Sequence, residues 1–286
     1  MRIHLFVNTH REDALEAARK TSVYLRQHGV DVGADAQSAA LIDAEERSLS
    51  ELADADLVVT FGGDGTLIRA AHVCAEAGTP ILGVYYGKFG FVTQCEPHEV
   101  GAALSMFFDG SARIEERMMV QTELMRHGKT VATLHSLNEA VLQRAATARM
   151  LEFEVTIDGH LLTTYPADGV LVATPTGSTA YNLSAGGPIV DPKMRALILT
   201  AITPHTLSSR PLVLSPESTI HVRIETRGDA VLSCDGQSRL QMVNGDEVLI
   251  SRSPRVTRLI SVDQDDFLEK LTRRLFWSRR LRPEDD

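Results

Sequence analysis

A chain of 286 residues, 43% hydrophobic and 23% charged, has the composition of a soluble globular protein and length enough for two domains. Its net charge of −9 argues against a nucleic-acid surface, which is basic, so a nucleotide ligand would need a locally positive site or a metal ion. The opening RIHLFVN does not read as a signal peptide, no run suits a membrane span, and Cys74, Cys95 and Cys234 form no CxxC pair, so neither a disulfide framework nor a zinc site is expected; the expected compartment is the cytoplasm, with no membrane partner.

Ile3 to Val7 reads as a first strand, Asp13 to His28 as an Ala-rich helix closed by Gly29, and 30–32 as a second short strand. The polar, Ala-rich stretch 35–50 has no readable pattern. Leu57 to Phe61 carries no charge and suits a strand covered on both faces, ending at Gly62. There Gly62 and Gly63 are expected to turn the backbone at φ values other residues avoid, with Gly65 leaving room for a ligand. A helical run starting at Thr66 closes at Gly78, and Ile81 to Val84 is the next strand. The segment Gly87-Lys88-Phe89-Gly90-Phe91 could face the same crevice, and Glu96 to Asp109 is expected to be a helix begun near Pro97. Strands alternating with helices indicate a Rossmann-like α/β parallel-sheet domain over 1–110, with ligands beyond the carboxyl ends of its strands.

After about Ser111 the rhythm changes to strand-like runs between turn signals such as Asp158-Gly159 and Asn244-Gly245-Asp246. Glu152 to Ile157 and His221 to Ile224 alternate with the period of half-buried strands, so 111–255 reads as an all-β sandwich domain. Asp265 to Trp277 is an amphipathic helix suited to a return to the first domain, which 256–286 would join. The basic run RRLFWSRRLR reads first as a solvated helix end and second as a phosphate contact.

The strand, glycine loop and helix around Gly62-Gly63-Asp64-Gly65-Thr66 suit a phosphate, because a helix start offers unpaired N–H groups and the positive end of a dipole. It is neither a Walker loop, since no lysine follows Gly65, nor GxGxxG. Asp64 repels phosphate and so requires a metal ion, a capping role, or a proton to accept. GGDGT resembles the phosphate loop of NAD kinases, diacylglycerol-type lipid kinases and, with Ser for Thr, phosphofructokinases, all of which transfer phosphoryl groups to a hydroxyl.

Three further stretches choose the acceptor. In Leu137-Asn138-Glu139, an amide offers donor and acceptor beside a carboxylate able to accept two ribose hydroxyls, although an Asn-Glu pair alone is usually a surface turn. Asp168-Gly169-Val170-Leu171-Val172-Ala173-Thr174-Pro175-Thr176-Gly177-Ser178-Thr179-Ala180-Tyr181 runs a strand into a loop of hydroxyls and an aromatic. That loop is either a nucleotide bed or a turn satisfied within itself. With Pro204-His205-Thr206-Leu207, Arg210-Pro211 and Asp235-Gly236-Gln237, the order and spacing of these blocks resemble the NAD kinase family from Leu57 to Gln237. The TPTGSTAY block is the specific part, since the lipid kinases of the superfamily lack it.

The resemblance implies ATP as donor, Mg2+ as cofactor, NAD as acceptor and a homodimer or homotetramer. Asp64 resembles the general base for the adenosine ribose 2′-hydroxyl, and Gly62, Gly63, Gly65 and Thr66 would cradle phosphates. Asn138 and Glu139 match the pair that holds the NAD adenosine, while Asp168, Thr179, Ala180, Tyr181, Asn182, Leu183 and Ser184 match further NAD contacts, with Tyr181 placed to stack on adenine. Gln237 matches a late contact in the family pattern, and Arg149 falls where the family often has a basic or polar contact. No metal ligand is expected from side chains. The sequence departs from the family pattern at Tyr85-Tyr86 before Gly87, at Phe89, and at Pro166 two residues before Asp168. A lipid kinase and a non-catalytic nucleotide-binding regulator are the alternatives.

Overall fold

The computed structural model describes the chain apart from residues 88–89, 94, 146–150, 207, 226–228, 263–266 and 276–286. Up to residue 110 strands alternate with helices. In order these are β1 (Arg2–Val7), α1 (Glu12–Gln27), β2 (Asp31–Ala34), α2 (Ala39–Ile42), β3 (Glu45–Glu46), α3 (Leu49–Ala53), β4 (Leu57–Gly62), α4 (Asp64–Cys74), β5 (Ile81–Tyr85) and α5 (Val100–Phe108). Of these, β4 and β5 are uncharged runs that need cover on both faces, β1 and β2 are buried beyond a polar first residue, and β3 is a short exposed edge. The unpatterned stretch 35–50 thus folds into α2, β3 and the start of α3, which Ser48 and Glu51 open with a reciprocal capping box. α5 follows a short 3₁₀ turn at Pro97–Glu99, so the helix proper starts later than Pro97 suggests.

The parallel strands pair in the order β3-β2-β1-β4-β5, with Ile3 opposite both Val32 and Leu57. The chain leaves β1 on one side and returns on the other, so the order reverses between β1 and β4, the point where open α/β sheets bind ligands. GGDGT leaves the carboxyl end of β4 at that place. Every residue of β4 is buried, and Leu57, Val59 and Phe61 join Ile3, Leu5 and Val7 in the first core.

The second region comprises β6 (Arg113–Arg126), β7 (Lys129–Ser136), β8 (Glu139–Arg144), β9 (Leu151–Ile157), β10 (His160–Ala167), β11 (Gly169–Ala173), the short α6 (Tyr181–Ser184), β12 (Leu197–Ile202), β13 (Leu212–Leu214), β14 (Ile220–Glu225), β15 (Ala230–Cys234), β16 (Ser238–Met242) and β17 (Glu247–Ser261). One antiparallel layer runs β10-β9-β14-β17 with β6 and β7 beside it, and the other runs β13-β12-β11-β8-β15-β16. Alternate residues of the two layers meet in one core, Phe153, Val155, Val222 and Ile224 against Leu142, Val170, Val172 and Leu232. Val141, Leu171 and Ile198 point the other way and pack with Val190.

Contacts divide the chain into Met1–Ala70 with Thr79–Glu115 and Leu259–Asp286, and Ala71–Gly78 with Glu116–Arg258. The last residues of β17 belong to the first unit, where Leu259 lies parallel to Ile81 of β5. The terminal helix α7 (Phe267–Leu275) is counted there too; most of the basic run beyond it lies outside the described residues.

Candidate active site

α4 begins at Asp64, two residues before the expected start at Thr66. Neither Gly62 nor Gly63 nor Gly65 adopts a positive φ, which corrects the expectation of a turn built on unusual backbone angles. The reason for glycine is space. A Cβ on Gly62 would collide with Thr66 Oγ1, whereas Gly63 and Gly65 have nothing within 4 Å of that position, so their backbone is open to a ligand.

Asp64 does not cap its own helix. Its Oδ2 accepts from Phe91 N–H at 2.8 Å, and Oδ1 accepts from Val92 N–H at 3.2 Å, Thr93 N–H at 2.9 Å and Thr93 Oγ1–H at 3.0 Å. The segment after β5 therefore faces the loop, as expected, and it does so through backbone donors; Lys88 and Phe89 lie outside the described residues. Gly90 approaches so closely that a Cβ there would overlap Asp64 Oδ1.

In the second unit, Glu139 opens β8 and Asn138 precedes it, both largely buried, and Asn138 Oδ1 and Glu139 Oε2 have no hydrogen-bond partner among the described residues. Burial, reinforced by the neighbouring Asp235 carboxylate, pushes the Glu139 carboxyl up to about 8, and the backbone N–H of Tyr181 partly counters this. Asp235 belongs to the Asp235-Gly236-Gln237 block, for which the sequence implies a contact only at Gln237. Its fully buried carboxylate accepts the backbone N–H groups of Leu137 at 2.7 Å, Asn138 at 2.8 Å and Glu139 at 3.0 Å, and Oδ2 also meets His72 Nε2 at 2.7 Å. Asp235 thereby fixes the backbone that presents the Asn-Glu pair.

The hydroxyl-rich loop after β11 is in large part satisfied within the protein. Ser178 Oγ donates to Val190 O at 3.1 Å and accepts Val190 N–H at 3.0 Å, while Thr179 Oγ1 donates to Thr176 O at 3.3 Å. Asn182 is wholly buried; its amide donates to Ser178 O and Pro188 O, and its carbonyl accepts from Thr200 Oγ1 at 2.7 Å. A Cβ on Gly177 would run into the backbone of Asn138, so the loop packs directly under the Asn-Glu pair.

Thr179, Ala180 and Leu183 are half-buried and Ser184 is exposed. Asp168 and Tyr181 line a cavity of about 820 Å3 together with Gln143, Arg144, Asp229 and Arg239. Asp168 Oδ1 accepts from Arg144 Nε at 2.7 Å, and Tyr181 is 39% exposed. Gln237 sits exposed in the turn between β15 and β16, and Arg149 lies outside the described residues.

Residues 3–112 match the ATP-NAD kinase N-terminal domain, and 137–262 match the ATP-NAD kinase C-terminal domain. The NAD kinase of Moorella thermoacetica is 41% identical over 277 residues, covering 96% of this chain and 89% of that protein. The chain belongs to the NAD kinase family.

Another NAD kinase, from Citrifermentans bemidjiense, is 37% identical over 286 residues, spanning 98% of this chain and 99% of its own. Among solved structures, yeast NADH kinase complexed with NADH superposes with a TM-score of 0.93 at 25% identity, covering all of this chain (100%) and 90% of the yeast chain. An Archaeoglobus fulgidus NAD kinase in complex with ATP has a TM-score of 0.73 at 26% identity, over 97% of this chain and 98% of the other. The glycine loop lies within the stretch matched to the N-terminal domain of the NAD kinase family, and the Asn-Glu pair within the stretch matched to its C-terminal domain. His72 and Thr93 carry polar contacts that no motif noted above advertises, and Asp235 carries more than its motif implies.

Proposed function

We propose that this NAD kinase transfers the terminal phosphoryl group of ATP to the 2′-hydroxyl of the adenosine ribose of NAD, giving NADP and ADP. The observation that supports the choice of acceptor is the orphaned pair Asn138 Oδ1 and Glu139 Oε2. Buried polar atoms without partners are uncommon, and two adjacent ones suit a ligand that brings paired hydroxyls, as a ribose does. Tyr181 and Asp168, on the wall of the 820 Å3 cavity, suit the adenine and its surroundings. A lipid acceptor has no use for such a polar pair, and a pure regulator has no use for a base.

In the proposed reaction the 2′-hydroxyl gives its proton to the Asp64 carboxylate as its oxygen bonds to the γ-phosphorus. The bond from that phosphorus to the bridging oxygen breaks, and ADP leaves with the electron pair. Gly63 and Gly65 bring open backbone to the phosphates. Among the described residues no group of three or more His, Cys, Asp or Glu side chains could hold a metal. Mg2+ carried on the donor phosphates would neutralise developing charge there.

We also propose self-association as a homodimer or homotetramer and a cytoplasmic location. The edge strands β10 and β13 expose Leu161, Leu162 and Val213, apolar side chains on unpaired edges that favour a second copy. All three cysteines are free and buried, with thiols that burial pushes up to about 12, 12 and 11, which fits a reducing compartment.

The test is NADP formation from NAD, ATP and Mg2+, followed by a coupled dehydrogenase beside Asp64→Asn. The wild type should produce NADP and the variant roughly 10²- to 10⁴-fold less, the usual worth of a general base. No NADP from the wild type would overturn the proposed activity, and undiminished turnover by the variant would remove Asp64 as its base.

A further inference from the structure

Asp64 is held asymmetrically, and the asymmetry distinguishes its two oxygens. A carboxylate oxygen has two lone-pair directions. Oδ1 receives three donors, Val92 N–H, Thr93 N–H and Thr93 Oγ1–H, at 2.9 to 3.2 Å. Oδ2 receives one from the described residues, Phe91 N–H at 2.8 Å. Oδ1 is therefore saturated, and Oδ2 keeps a lone pair for a proton. Thr93 is fully buried and supplies two of the four donors, one from the backbone and one from its hydroxyl. A hydroxyl fixed on Oδ1 resists rotation of the carboxylate about its Cβ–Cγ bond, which would exchange the two oxygens.

We infer that Thr93 is a positioning residue for the phosphoryl transfer, holding Asp64 by Oδ1 so that Oδ2 is the oxygen that takes the proton. This rests on Asp64 being the base. The proton travels from the substrate hydroxyl to Oδ2, and Thr93 keeps its own hydroxyl proton throughout. Its contribution is orientation, a term that can be large because a misplacement of about 1 Å in a reacting group can cost on the order of 10²-fold.

The experiment compares wild type, Thr93→Val, Thr93→Ser, Asp64→Asn and the double variant Asp64→Asn/Thr93→Val, with kcat and KM measured for NAD and ATP. Thr93→Val keeps the shape and loses the hydroxyl, so kcat should fall roughly tenfold with both KM values within about twofold of wild type, the split expected when an interaction acts only in the transition state. Thr93→Ser restores the hydroxyl and should recover most of that loss. If Thr93 acts through Asp64, adding Thr93→Val to Asp64→Asn should cost little more.

Three results would overturn the inference: wild-type kcat in Thr93→Val, a serine variant as slow as the valine, or an undiminished valine effect on the asparagine background. The last is also what a general loss of folding would produce. Wild-type turnover in Asp64→Asn alone would instead refute the base assignment beneath the inference.

Discussion

Asp235 Oδ2 and His72 Nε2 lie 2.7 Å apart, and the same carboxylate gathers three consecutive backbone N–H groups from Leu137, Asn138 and Glu139. The side chain is completely buried, so every one of these donors depends on it and it depends on them. A carboxylate serves here because it is an acceptor on both oxygens. Asparagine in its place would turn an amide N–H against one of the donors. Asp235→Asn should therefore cost about 1–3 kcal/mol, the range for leaving a buried polar group unsatisfied. His72→Ala leaves the backbone cradle intact and should cost less. Urea unfolding of the two variants checks the order; a larger cost for His72→Ala would show that the histidine, not the amides, holds the carboxylate.

Glu139 gives the protein a pH dependence opposite to that of most carboxylates. Its ordinary value is 4.5, and burial followed by the Asp235 charge pushes it to about 8 in the fold. The folded state thus binds this proton more tightly than the unfolded one. The associated stability is complete below about pH 4.5 and is lost as pH rises through about 8, on the order of a few kcal/mol in all. Glu139→Gln should be insensitive across this window, and the difference in unfolding free energy from wild type, measured between pH 5 and 9, reads the effect directly. Ribose hydroxyls donating to Glu139 would favour its ionised form, so NAD binding near pH 7 should release protons. Calorimetry in buffers of different ionisation enthalpy detects that release, and none is expected from Glu139→Gln.

Tyr181 presents a partly exposed ring to the 820 Å3 cavity. If it stacks on adenine, Tyr181→Ala should weaken NAD binding by the worth of a base–aromatic stack, about 1–3 kcal/mol, or roughly 5- to 150-fold in KM. Tyr181→Phe keeps the ring and should remain near wild type. Equal losses in both variants would assign the effect to the hydroxyl instead.

Asp64→Asn should reduce stability as well as rate. One end of the amide would face either Phe91 N–H or the donors of Thr93, replacing an acceptor by a donor. The expected cost is about 1–3 kcal/mol, visible as a lower midpoint in thermal or urea unfolding, and binding of ATP or NAD should raise that midpoint in both proteins. An unchanged midpoint would mean that the segment 91–93 is not tied to the carboxylate.

The elements that read clearly in the sequence are those whose signal is local. Leu57 to Gly62 forms a buried strand because it carries no charge and is mostly aliphatic and aromatic, and the glycines after it mark a loop whatever they bind. The sandwich follows from alternation such as Glu152 to Ile157, which the pairing of β9 with β10 and β14 satisfies on one face. The stretch 35–50 resists reading because a four-residue helix and a two-residue strand are too short to carry a period. Of the candidate site, the sequence draws attention to Asp64 and to Asn138-Glu139, where residue types are telling. The hold on those residues is not legible there. Thr93 meets Asp64 and His72 meets Asp235 only through the fold, and Asn182, expected from the resemblance to contact NAD, spends its amide on Ser178, Pro188 and Thr200.

Gly90 has no side chain, yet the room it leaves is already occupied, since the Asp64 carboxylate and Thr93 Oγ1 stand where its Cβ would be. The constraint on position 90 is therefore imposed chiefly by Asp64, a residue distant in the chain, and only in part by its neighbour Thr93. Any replacement, even one that is chemically inert, competes with an acidic group for the same volume and must evict it or be evicted. Tolerance to substitution at 90 thus measures how firmly that acid must stay in place, by a route that leaves every titratable group of the protein unaltered.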